Sequence, residues 1–182
     1  MISFIDTLAS VTSRLMLWLG ALLLLMMAFH ITADVVLRYL FSTPIAATLE
    51  FGTYYYMVAA SFLALGYAQM RDHNISVDIL VYSAPSHVRM AVESLALAIS
   101  FIYAVVFTYG SFLSALDKTK KGSFTLTQHF DLLLWPSRWI LVASGTVFAL
   151  VLLAQLLRLL SALMRNEDRK ISELIGMQKG AH

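Results

Sequence analysis

Four stretches of this chain carry no Asp, Glu, Lys or Arg: Leu15 to Ala33, Phe51 to Met70, Ser94 to Leu116, and Trp139 to Leu157. At 1.5 Å per helical residue, about 20 residues cover the ~30 Å hydrocarbon core of a bilayer, so each run is long enough to cross once. A core shielded from water by protein alone needs no such series. With 59% hydrophobic residues, 13% charged residues and a mean hydropathy of +0.76, the 182-residue chain reads as an all-α integral membrane protein. The expected crossings are 14–41, 44–70, 86–116 and 136–164, joined by short connections. A 1–13 segment with Ile2, Ile5 and Leu8 at helical spacing precedes them as an interfacial helix, and a charged tail, 165–182, follows.

Composition excludes several chemistries. There is no cysteine, which removes disulfides, thiolate metal sites and cysteine nucleophiles. A net charge of +2 without a block of consecutive basic residues gives nucleic acid nothing to hold. The opening Arg14 and leucine run imitate a secretory signal, but Ile31 stands where a cleavage site before Ala33 needs a small residue, so the helix is retained. An enzyme would need acids, bases or a nucleophile converging in a pocket, and the crossings offer almost none.

Polar residues inside or beside apolar runs carry the remaining information, because each costs about 2.5 to 3.5 kcal/mol at a bilayer centre unless partnered. His30, Asp34 and Arg38 lie four apart and share one face near the end of the first crossing. Thr43 and Pro44 break the chain, Pro44 suiting the first turn of the next helix, in which Glu50 follows. A tight turn would make the two helices antiparallel neighbours and set Glu50 level with Arg38, so an interhelical Arg38–Glu50 bridge is expected. Ala60, Ala64 and Ala68 and then Ala96, Ser100 and Ala104 repeat the small-residue spacing of close helix contacts. Gly145 and Ala149 offer the same in the fourth helix.

Asp72, His73 and Asp78 in the polar connection are oxygen and nitrogen donors, yet a solvated loop explains them better than a metal site. Arg89 and Glu93 are paired by spacing at the start of the third helix. Lys118 to Asp131 reads as a loop around Gly122, and Phe130 to Trp135 as an aromatic interfacial anchor leading into Pro136 and Trp139. Eight Lys and Arg residues fall on the side of the termini against five on the other, so the termini are expected in the cytoplasm. His73, His87, His129 and His182 all lie outside the crossings, which leaves His30 alone to support an alternative reading, a four-helix haem-binding redox anchor. Pro44, Pro85 and Pro136 sit at helix ends, so the broken midplane helices of an independent transporter are missing.

RYLFSTPIAATLEF, with Arg38, Tyr39, Pro44 and Glu50, is followed by RDHNISVDIL, with His73, Val77 and Asp78. Together with Arg89, Gly122, Pro136, Trp139 and Gly145, these resemble the small membrane subunit, the Q subunit, of tripartite ATP-independent periplasmic (TRAP) transporters. The resemblance runs from about Leu15 to Leu160; it departs at Ala47 and Thr48, where that family often carries Trp, and in a missing proline in helix four. It implies a multi-pass subunit of a bacterial or archaeal inner-membrane complex. It further implies a large membrane subunit holding the substrate and sodium sites, and a periplasmic binding protein delivering an organic acid by ion-gradient-driven symport. This chain would bind no cofactor itself. The residues expected to matter structurally or at interfaces are His30, Asp34, Arg38, Glu50, Asp72, His73, Asp78, Arg89, Trp135 and Trp139.

Overall fold

The computed structural model describes residues 2–71, 86–126 and 131–164. The first helix, α1 (Ile2–Phe41), has no proline and only Gly20 and polar residues that helices tolerate, so nothing interrupts it. This differs from the expected division at residue 13: the N-terminal turns continue the crossing as one 40-residue helix, about 60 Å long and twice the hydrocarbon thickness. Ser42 then takes a left-handed conformation (φ 55°) and stops α1, with Pro44 just beyond.

Pro44 therefore belongs to the end of one helix and not, as its sequence position suggests, to the first turn of the next. The second crossing begins at Thr48, after a second left-handed residue, Ala47 (φ 62°). It is interrupted twice, unlike the unbroken helix expected from prolines confined to helix ends, because a π-helical turn and a turn at 63–64 break it without any proline. Its segments are α2 (Thr48–Phe51), a π-helical turn (Gly52–Tyr56), α3 (Met57–Phe62) and α4 (Leu65–Met70). Backbone bonds Leu63 N–H to Ala59 (3.0 Å) and Ala68 N–H to Ala64 (2.9 Å) carry the helical path through the second break. From Thr48 to Met70 the rise is about 34 Å, sufficient to cross.

Contacts step down in register between α1 and this crossing: Asp34 to Ile45, His30 to Tyr56, Gly20 to Leu63, and Ser13 to Met70. The two are antiparallel neighbours. Three helices, α1, α5 (Ser86–Lys120) and α6 (Trp135–Met164), are each long and apolar enough to span without interruption. The irregular segment Thr48–Met70 is long enough to make a fourth.

The third helix runs to Lys120, beyond the expected 116, because its stop signal comes later. Gly122 (φ 56°) follows it while the Gly122 and Ser123 amides bond the Thr119 and Lys118 carbonyls at 3.2 and 3.0 Å. This is the double bond that closes a helix on a left-handed glycine. The expected loop and aromatic anchor prove to hold a β-hairpin. Here β1 (Phe124–Leu126) pairs antiparallel with β2 (Asp131–Leu133), Thr125 opposite Leu132, and buries Leu132. Alternation in Asp131–Leu133 accounts for it, since one side of the ribbon faces the bundle. Pro136 sits in the first turn of α6.

At the centre stands α6, packed against α1, α3, α4 and α5. Its contact face combines small residues and valines with two leucines: Ser144, Gly145, Val147, Val151, Leu152, Ala154 and Leu159 are buried. Val147 reaches the Gly66 backbone, and Ala9 of α1 closes on Val151 and Ala154. By contrast, α1 and α5 leave broad apolar faces exposed, including Trp18, Phe29, Ile102 and Tyr103. In a bilayer these face lipid or another membrane helix. The bundle has a hairpin end, near β1 and β2, and a terminal end, near Ile2 and Met164.

Candidate functional site

At the hairpin end the polar stripe of α1 closes the turn into the second crossing. Asp34 is 5% exposed. Its Oδ1 accepts the Ile45 amide at 2.6 Å and its Oδ2 accepts from Arg38 Nη2 at 2.8 Å. The carboxylate thereby satisfies a backbone donor in a connection bent by two left-handed, non-glycine residues, each of which costs about 1–2 kcal/mol. Asp34 is a clamp on the connection.

The expected Arg38–Glu50 bridge is not formed. Arg38 pairs within its own helix, its side chain 63% exposed. Glu50, half-buried in the first turn of α2, has neither an ion pair nor a hydrogen bond among the described residues. The physical reason is the connection: the chain makes an irregular turn through Thr43–Ala47 before α2 begins, while Asp34 is one turn from Arg38 on the same face. Exposed apolar side chains surround this corner, with Tyr39 87% and Leu49 80% exposed.

One turn below Asp34, the His30 Nδ1 lies 3.3 Å from the Tyr56 hydroxyl, and its ring is edge-on to Tyr56 and tilted against Phe51. The π-helical turn positions these rings, since the extra residue per turn shifts Tyr55 and Tyr56 relative to a regular helix. Tyr56 thus meets α1, while the Tyr55 hydroxyl donates to the Leu133 carbonyl of the hairpin. His30 Nε2 is buried with no hydrogen-bond partner among the described residues.

Of the other expected residues, Trp139 donates from Nε1 to Thr119 Oγ1 (3.1 Å) and stands edge-on to Phe112, tying the start of α6 to the end of α5. Trp135 is half-buried at the first position of α6. Asp72, His73 and Asp78 lie outside the described residues, as does the side chain of Arg89, whose backbone is in the first turns of α5. Among the described residues no cluster of three His, Asp or Glu could hold a metal ion.

Small residues pack as expected in kind but in a shifted register. In the second crossing the buried face is Ala59, Leu63 and Gly66, one to two positions before the alanine repeat, in a helix with two interruptions. On α5, Ala104 is buried but Ala96 and Ser100 are exposed. Gly145 is the tightest approach: a Cβ there would lie 2.6 Å from Thr108 Oγ1.

Sequence reasoning missed the terminal end. Arg158 Nε approaches Asp6 Oδ1 at 2.8 Å, an ion pair between α1 and α6 whose alignment falls short of a hydrogen bond, since that oxygen has no hydrogen-bond partner. Beside it Gln69 Nε2 donates to Gln155 Oε1 (2.9 Å) and Gln155 Nε2 donates to the Gln69 carbonyl (3.0 Å). The available signal was a glutamine inside each of two uncharged runs, where an amide side chain needs a partner.

A family model described as "Tripartite ATP-independent periplasmic transporters, DctQ component" matches residues 27–162. Comparison with curated proteins and with solved structures gives no match. The matched region holds the whole hairpin-end corner and all the long helices except the first part of α1 and the last residues of α6.

Proposed function

The chain belongs to the DctQ component of tripartite ATP-independent periplasmic transporters, a transporter subunit and not an enzyme, and on that premise we propose that it is the scaffold beside a large membrane subunit. That subunit, not this chain, would hold the substrate and coupling-ion sites for sodium-driven uptake of an organic acid delivered by a periplasmic binding protein. The observation that carries the scaffold role is the packing. The buried faces of the described helices are closed by small residues, valines and a few larger apolar side chains such as Leu63, Met90, Leu152 and Leu159, and their ion pairs sit at helix ends. Such an interior suits a support better than a conduit.

The corner formed by Arg38, Tyr39, Leu49 and Glu50 is the proposed contact with the large subunit. A half-buried carboxylate without a partner among the described residues and an exposed guanidinium, set among exposed apolar side chains, combine the apolar area and polar specificity of a subunit contact. Both termini are proposed to lie in the cytoplasm, which places this corner at the periplasmic surface.

Copurification from membranes tests the proposal. The chain is expected to bring down a much larger membrane protein, and deleting either is expected to abolish uptake; uptake at the normal rate without this chain overturns the reading. Because the protein has no cysteine, single cysteines introduced at Tyr39 and Ser10 report sidedness directly with an impermeant maleimide.

A further inference from the structure

Between the tight Thr108–Gly145 contact and the Trp139–Thr119 hydrogen bond, α5 and α6 border an open groove of about 360 Å³. Val106, Phe107 and Leu141 make its apolar part; Ser111, Ser114 and Arg138 make its polar part. Two observations distinguish it from an ordinary lipid-facing crevice. Arg138, exposed in the first turn of α6 between Trp135 and Trp139, has no ion pair or hydrogen bond among the described residues. Ser111 and Ser114 likewise make no hydrogen bond among those residues, whereas Ser94, Thr108 and Thr119 of the same helix donate to the carbonyl four residues earlier.

We propose that this groove is a binding site for an anionic phospholipid, its phosphodiester held by Arg138 and the two serine hydroxyls and one acyl chain lying along Val106, Phe107 and Leu141. Charge selects the headgroup. A guanidinium in the headgroup region attracts anionic lipid, and its planar fork matches the phosphate oxygens. Lys118 continues the stripe through Ser111 and Ser114 at helical spacing, adding a second cation on the headgroup side. Depth fits the chain. From Ser114 to Val106 the helix descends about 12 Å, close to the ~15 Å thickness of one hydrocarbon leaflet. A soluble anion would use the same donors but would leave the apolar part of the groove without an occupant.

The site is tested by native mass spectrometry of the full chain, with whatever membrane subunit copurifies, in nanodiscs holding equal phosphatidylglycerol and phosphatidylcholine. The wild-type chain is expected to retain phosphatidylglycerol preferentially, and Arg138→Gln to lower that retention about fivefold, the factor expected for one basic residue at an anionic surface. Ser114→Leu, which fills the groove at constant charge, is expected to lower it as well. Lys120→Gln, a charge loss off the groove stripe, should leave it unchanged. Retention in proportion to the bilayer composition, or an Arg138→Gln chain that retains as much as wild type, overturns the proposal. It is also overturned if the Arg138→Gln chain separates from the copurifying subunit with its lipid unchanged, because the groove is then a subunit contact. Copurification of the wild-type complex is read separately, so failure of the lipid site leaves the scaffold role standing.

Discussion

Two aspartates of the same helix do different work. Asp34, at the hairpin end of α1, is almost fully buried and closes a local structure: its partners are Arg38, one turn away, and the Ile45 amide of the adjoining connection. Asp6, at the terminal end, is less buried and closes a global one, reaching Arg158 on α6, whose side chain is half exposed. The difference is that between a clamp that decides how the chain turns and a clasp that holds finished helices together. Burial and backbone bonding make the first energetically larger, and solvent makes the second tolerant of loss.

Substitution at the two ends can break this contrast. Asp34→Ala removes the acceptor of the half-buried Ile45 amide and leaves that donor without it in a strained turn, so a loss of about 1 to 3 kcal/mol is expected. A fall in melting temperature in a fixed detergent, clearly smaller for Asp34→Asn because an amide oxygen can still accept, would bear this out. Gly145→Ala comes next, at about 1 to 3 kcal/mol, because its Cβ must displace Thr108 Oγ1. The double variant with Thr108→Ala is expected to recover most of that loss in the same melt.

Asp6→Asn and Arg158→Gln are each expected to cost less than ~1 kcal/mol, since the pair is partly solvent-screened. Raising ionic strength should erase the difference from wild type at this end but not the effect of Asp34→Ala. Gln155→Leu, beside that pair, is expected to cost about 0.6 kcal/mol, the average for interhelical polar contacts in membranes. An equal loss at Asp34 and at Gln155 would remove the distinction between clamp and clasp.

The charge swap Arg38→Glu with Glu50→Arg is read by association more than by the melt, because Arg38→Glu also sets a carboxylate against the buried Asp34. Sequence spacing alone predicts that the swap rescues either single variant, because the two residues would form a bridge. In the structure they do not pair, so the swap is expected to leave the melt near that of the single variants and to impair association with the large subunit as much as either does. Recovery of copurification by the swap would restore the bridge and refute the geometry described here.

Much of the site was legible where the spacing was short. The His30–Asp34–Arg38 stripe follows from helical periodicity, and Asp34–Arg38 is the i,i+4 pair that this periodicity allows. Trp139 at the start of α6 likewise stands where aromatic residues mark a membrane edge. The bridge to Glu50 was misread because it required the path of a turn, and two left-handed residues without glycine leave no clear mark in the sequence. The buried register at Ala59, Leu63 and Gly66 lies beyond a π-helical turn, and no residue type announces that turn.

Hydropathy by itself determined that this chain is a membrane protein built of long apolar helices, because the cost of unpaired polar groups in hydrocarbon constrains every sequence equally. The motifs around Arg38 and Glu50 were enough to place it among the DctQ components. Tertiary structure alone decided that α6 is the centre, that Asp6 meets Arg158, and that Ser111, Ser114 and Arg138 face one groove. Those facts depend on how helices rotate and tilt against one another. Such rotations are set by close contacts at small residues such as Gly66 and Gly145, whose partners lie far along the chain, beyond the reach of any local pattern.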